Sequence, residues 1–181
     1  MTIAQTGLQS LQKIDVITPS GAVDVQTVKA AMRNLAGGVS VVTAGIDEDR
    51  TGATVTSATA LSMDPPTMIV NINLNSSTFA VIDRYRHFCV NILSQEQQAV
   101  AERFSGFGGI KGADRYEGAS WTTLASGAPA LVSALAAIDC EVDEVIVRHS
   151  HAIILGRILS VTADKGHSLV YSQGRYSRLS V

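Results

Sequence analysis

Gly52-Ala-Thr-Val-Thr-Ser-Ala-Thr-Ala-Leu-Ser-Met-Asp-Pro-Pro66 packs small and hydroxyl-bearing side chains into one β-like run and stops it with two prolines. Thr and Val favour strands without adding bulk, so main-chain N–H groups and hydroxyls along such a run can approach a flat ligand closely. A second reading stays open, in which the run is simply the solvent face of a sheet. On either side, Val39 to Ala44 reads as a strand, Gly45 to Arg50 as a polar hairpin turn, and Ala53 to Ser62 as the partner strand. Thr67 to Asn73 continues as the next strand.

Further strands are expected at His87 to Leu93 and Ser168 to Tyr171, with a long hairpin from Ala134 to Arg148 and His151 to Ala163. Helices are fewer. Asp24 caps one whose apolar positions Val25, Val28, Met32 and Leu35 recur at helical spacing, ending at Gly37-Gly38. Asn75-Ser-Ser-Thr78 offers N-cap residues to a second, and Ser94-Gln-Glu-Gln97 has the capping-box form before a third that ends near Arg103. The expected fold class is mainly β with short helices: an antiparallel barrel or sandwich with helical additions. Residues 1–23 read as a loose N-terminal arm before a single domain over 24–181, a length suited to one core.

Composition excludes several functions. The net charge of −2 leaves no basic excess to neutralise phosphates, which argues against nucleic acid as a partner. Residues 1–23 lack the pattern of a signal peptide, and no apolar run reaches the ~18 residues of a membrane span. Cys89 and Cys140 each sit in an apolar strand-like run and form no Cys-x-x-Cys motif, so both read as packed, reduced thiols of a cytoplasmic protein. Only 17% of residues are charged, as expected of a chain with part of its surface covered by a second subunit.

Among candidate sites, Gly106, Gly108, Gly109 and Gly112 do not satisfy G-x-G-x-x-G, because Lys111 interrupts the pattern. The segment from Ser105 to Gly118 reads as a mobile loop. His149 and His151, two apart, would share a strand face and could pair on a metal, but no third ligand stands at a familiar spacing; no metal is expected. Asn75 to Thr78 at a helix start suits an anion as well as plain capping. Tyr171-Ser-Gln-Gly-Arg-Tyr176 alone is an ordinary turn.

Taken in order, several segments resemble the short-chain flavin reductases, the small components of two-component flavin-dependent monooxygenases. They are Gly38-Val-Ser-Val-Val-Thr43, the small-residue run closing with Asp64-Pro-Pro66, Asn75-Ser-Ser-Thr78, Cys89-Val-Asn-Ile-Leu93, Ala101-Glu-Arg-Phe-Ser-Gly106, Leu135 to Glu141, and Gly166-His-Ser-Leu-Val-Tyr171. The resemblance runs from about Val28 to Leu179 and implies an FMN-binding split β-barrel of Greek-key type. It further implies a homodimer that reduces FAD or FMN with NADH, or with NADPH, and supplies reduced flavin to a separate oxygenase.

By position, Thr54, Val55, Thr56 and Ser57 with Ala60, Leu61 and Ser62 would line the flavin ring and ribityl chain. Ser77 and Thr78 would hold its phosphate, Phe104 would border it, and Tyr176 would close the site. His151 falls on the signature histidine associated with the nicotinamide, within His149-Ser-His151, where the family usually has glycine at the first position. A non-catalytic flavin carrier or sensor, and a metal enzyme built on His149 and His151, are the competing expectations.

Overall fold

The computed structural model describes Gly21 and residues 23–178; most of the expected arm over residues 1–23 lies outside the described residues. Helix α1 (Val25–Met32) belongs to a separate unit, residues 1–32. As expected, Asp24 caps it, its carboxylate accepting from the Thr27 backbone N–H at 2.8 Å. The helix stops well short of Gly37-Gly38, and those two residues form a short strand instead.

The second unit, from Arg33 onward, contains β1 (Gly37–Gly38), β2 (Ser40–Ala44), β3 (Thr51–Val55), β4 (Thr59–Met63) and β5 (Pro66–Asn73). After α2 (Ser77–Tyr85) come β6 (His87–Ile92), α3 (Gln98–Phe104), β7 (Trp121–Thr123) and β8 (Pro129–Leu131). The long hairpin is β9 (Ala136–Arg148) and β10 (His151–Ala163), followed by β11 (Leu169–Ser172) and β12 (Arg175–Arg178). Among the described residues every pairing is antiparallel, with seven strands in the order β3-β2-β6-β9-β10-β5-β4, three as β1-β11-β12, and β7 with β8.

The Ala53–Ser62 run is not one strand. It breaks at Thr56–Ala58, and its halves, β3 and β4, are the two outermost strands of the seven-stranded sheet. Sheet curvature brings those edges to either end of a three-residue bend, so the barrel closes through the chain and not through a ladder between β3 and β4. Within the bend, the Ser57 hydroxyl donates to the Asn71 carbonyl oxygen of β5 at 3.3 Å.

β2 is buried along its whole length because both of its faces are covered. Val42 and Ala44 join Val70, Ile82, Phe88 and Ile154 inside the barrel, with α2 contributing Ile82. Val39 and Val41 face the other way, onto Phe104, Tyr116, Leu131 and Leu169. Cys89 and Cys140 are buried free thiols, and burial pushes the Cys140 thiol up to about 12. Among the described residues no helix is long and apolar enough to cross a membrane.

Candidate functional site

A cleft of about 500 Å3 opens beside β3. Thr54, Val55 and Thr56 form one wall, Tyr171 and Tyr176 a second, and Phe107 a third. β3 is an edge strand, and its first two carbonyls already take side-chain donors: Tyr116 donates its hydroxyl to Thr51 O at 2.7 Å, and Arg115 donates to Gly52 O. The cleft takes in this stretch only beyond Gly52, from Thr54 to Thr56. Thr54 commits its hydroxyl proton to Ala101 O of α3 at 2.6 Å, so its side chain ties strand to helix and can only accept from a ligand.

The tyrosine wall comes from a tight hairpin. Tyr171 and Tyr176 are cross-strand partners with ring centroids 5.2 Å apart, and Gln173 and Gly174 turn the chain with φ of 54° and 78°. Gln173 N donates to Arg33 O at 2.9 Å, which holds the turn in place. Burial, with the Glu102 carboxylate and Tyr171 nearby, raises the Tyr176 phenol above its usual value and keeps it protonated.

The start of α2 lies at the other end of β3. Ser76, and not Ser77 or Thr78, is the N-cap, accepting from Phe79 N at 3.1 Å. Ser77 Oγ is 3.2 Å from Thr51 Oγ1. Thr78 is 1% exposed and its buried Oγ1 has no hydrogen-bond partner, an arrangement that costs free energy unless a ligand completes it.

The remaining candidates lie elsewhere. Phe104 is 1% exposed and packs edge-on against Tyr116 at 5.1 Å, in the core beneath β3, so of these two phenylalanines it is Phe107 and not Phe104 that lines the cleft. Ala60 and Leu61 lie exposed on β4, and Ser62 Oγ is engaged in the turn, accepting from Asp64 N at 3.0 Å. His151 opens β10 opposite Asn73 and Arg148, exposed, with Nδ1 2.9 Å from Ser150 Oγ, and does not line the cleft. His149 sits in the turn with φ 52° and not on the strand, so the two-apart argument for a shared metal-binding face does not hold. Among the described residues no group of three or more His, Cys, Asp or Glu gathers.

Glu102 at the cleft was not singled out from the sequence, and Val39, Ser105, Phe107, Tyr171 and Gly174, which lie in segments read as strand, loop and turn, were not named as site residues. The sequence already reads Tyr171 to Tyr176 as a turn; centring it on Gln173-Gly174 as a two-residue hairpin puts Tyr171 opposite Tyr176.

Residues 32–180 match the family described as flavin reductase like domain. The chain belongs to that family. It is 30% identical over 166 residues to the FMN reductase (NADH) RutF of Serratia proteamaculans, covering 91% of this chain and 94% of the relative. It is 32% identical over 147 residues to the 4-hydroxyphenylacetate 3-monooxygenase reductase component of Salmonella typhi, covering 81% and 86%. BorF, the flavin reductase component of a bacterial two-component tryptophan halogenase, superposes with a TM-score of 0.79 at 28% identity over 86% of this chain and 98% of its own. The family's split barrel is therefore the fold described above.

Proposed function

We propose that this chain reduces FMN or FAD with NADH and releases the reduced flavin to a separate monooxygenase. The observation that carries the reading is near full-length similarity to relatives whose names state NADH-dependent FMN reduction and service to a monooxygenase. The residues present also fit a flavin. A planar ring has a cleft with three aromatic side chains on its walls. A phosphate has the free N–H groups at the start of α2 and the unpartnered Thr78 hydroxyl. Thr51 beside Ser77 and Thr54 at the cleft are three residues apart on β3, about 10 Å, a span that suits the chain between ring and phosphate.

A bound flavin supplies N5 as the acceptor for a hydride from the nicotinamide. The chain's task is to hold and shield. β3 offers backbone between Thr54 and Thr56, the aromatic walls exclude water, and Tyr176 stays a neutral donor. His151, with Nδ1 engaged by Ser150, has Nε2 left to orient a nicotinamide.

A homodimer is part of the proposal. Leu61 and Met63 on edge strand β4 are 52% and 73% exposed, and Val147 at the end of β9 is 49% exposed, so apolar surface is left for a second copy to cover. Sedimentation showing only a 19.1 kDa species would refute the dimer.

The deciding assay follows loss of NADH absorbance with and without added FMN or FAD. No flavin-dependent rate with NADH or NADPH would overturn the enzyme reading, and flavin binding without nucleotide oxidation would make the chain a carrier. Reduced flavin reaching an oxygenase across a dialysis membrane tests release.

A further inference from the structure

We infer that Phe107 is the aromatic cover of the cleft, lying over the planar ring seated against Thr54–Thr56; this rests on the flavin reading above. Phe107 is 80% exposed and lines the cleft, while the core beneath is filled by Phe104. A single exposed apolar side chain is ordinary. The backbone that carries this one is not. Gly106, Gly108 and Gly109 have φ of 81°, 71° and 74°, and a Cβ at any of them would meet no atom within 4 Å. Their role is therefore conformational and not steric: they let the chain wind in the left-handed region on both sides of one phenylalanine.

The segment is anchored at both ends. On one side Ser105 Oγ donates to Glu102 O at 2.7 Å and accepts from Phe107 N at 3.3 Å. On the other, Arg115 Nε donates to Ile110 O at 3.0 Å, and Arg103 Nε donates to Arg115 O at 3.2 Å. The backbone contact within the turn is Gly109 N to Gly106 O at 3.4 Å. Phe107 thus rides on a short glycine-flanked span at the cleft that Tyr171 and Tyr176 also line, and on this inference rotation of the span sets how far its ring covers a ligand. A planar ring held against β3 gains a stacking or edge contact from Phe107, and the same span opens to release it.

The test is titration of the full-length protein with riboflavin and with FMN, read by flavin fluorescence, for wild type, Phe107→Ala and Phe107→Tyr. A ring-only contact predicts that Phe107→Ala weakens both flavins alike, by about 3- to 10-fold. Phe107→Tyr should bind as wild type does, and the melting temperature of both variants should be unchanged, since the residue is exposed. The KM for flavin should rise in Phe107→Ala in the same proportion. Wild-type affinity in Phe107→Ala, a loss confined to FMN, or equal loss in Phe107→Tyr overturns the inference. A wild-type protein that binds flavin but oxidises no NADH refutes the reductase reading and leaves the cover intact; one that binds no flavin refutes both.

Discussion

Replacing Gly52 with alanine should damage stability and flavin binding together. A Cβ built at Gly52 lies 2.6 Å from the Val42 carbonyl oxygen and 2.9 Å from Cδ1 and Cε1 of Phe104. Carbon-to-carbonyl contacts normally begin near ~3.3 Å, so one of the three must give by ~0.7 Å. Val42 cannot move freely, because β2 is buried on both faces and paired on both edges. Phe104 is hemmed in by Tyr116 at 5.1 Å and Trp121 at 5.5 Å. The strain therefore falls on β3 itself, two residues before Thr54 at the cleft. Overpacking of this kind costs about 1–3 kcal/mol, which lowers Tm by about 3–10 °C in a domain of this size. The control is Gly38→Ala, whose Cβ meets no atom within 4 Å and should alter stability by less than about 0.5 kcal/mol. Differential scanning calorimetry and a flavin titration on both variants decide the matter. Equal melting temperatures for Gly52→Ala and Gly38→Ala would show that the strand yields without cost and that the close approach of Phe104 does not shape the cleft.

Thr78→Val removes a buried hydroxyl with no partner, so the ligand-free protein should keep its stability or gain up to about 1–3 kcal/mol while FMN binding weakens and riboflavin binding does not; loss of stability, or unchanged FMN affinity, would contradict the phosphate role. His151→Ala should slow hydride transfer ~10-fold to 10²-fold in single-turnover measurements, the scale of a lost positioning contact, and an unchanged rate would remove it from the mechanism. His149→Gly relieves a left-handed conformation at φ 52° and should stabilise by about 0.5 kcal/mol after the entropy of the added glycine is counted; a lower Tm would mean that the imidazole makes a compensating contact.

Much of the barrel was legible where alternation is strong and turns are marked. β5, β6 and the β9–β10 hairpin appear close to where residue pattern puts them. The bend at Thr56–Ala58 was not, because Thr, Ser and Ala continue the β-like run without a glycine or proline to interrupt it. Only the curvature of the assembled sheet sets that break. The capping box at Ser94 was half right: Gln97 Oε1 accepts from Ser94 N at 2.8 Å, but the helix begins only at Gln98. For the cleft, Thr54 to Thr56 and Tyr176 could be placed beforehand, whereas the choice between Phe104 and Phe107 could not. Ala101 and Phe104 share the buried face of α3, three apart at helical spacing, and Phe107 falls beyond its end.

The bend that joins β3 to β4 also sets an order of assembly. Two strands adjacent in sequence become the far ends of the sheet, with β2, β6, β9, β10 and β5 between them. A local hairpin such as β9–β10 can form as soon as its own residues meet, but the separation of β3 from β4 is defined only after pairings between strands as distant as β2 and β9 are joined through β6. Such non-local closure is slow relative to local pairing. A chain emerging from the ribosome therefore has no flavin-ready cleft until β10 and the β11–β12 hairpin have been made. In refolding, the flavin-binding signal should trail the recovery of far-ultraviolet circular dichroism, and simultaneous recovery would mean that the bend forms before the sheet that curves it.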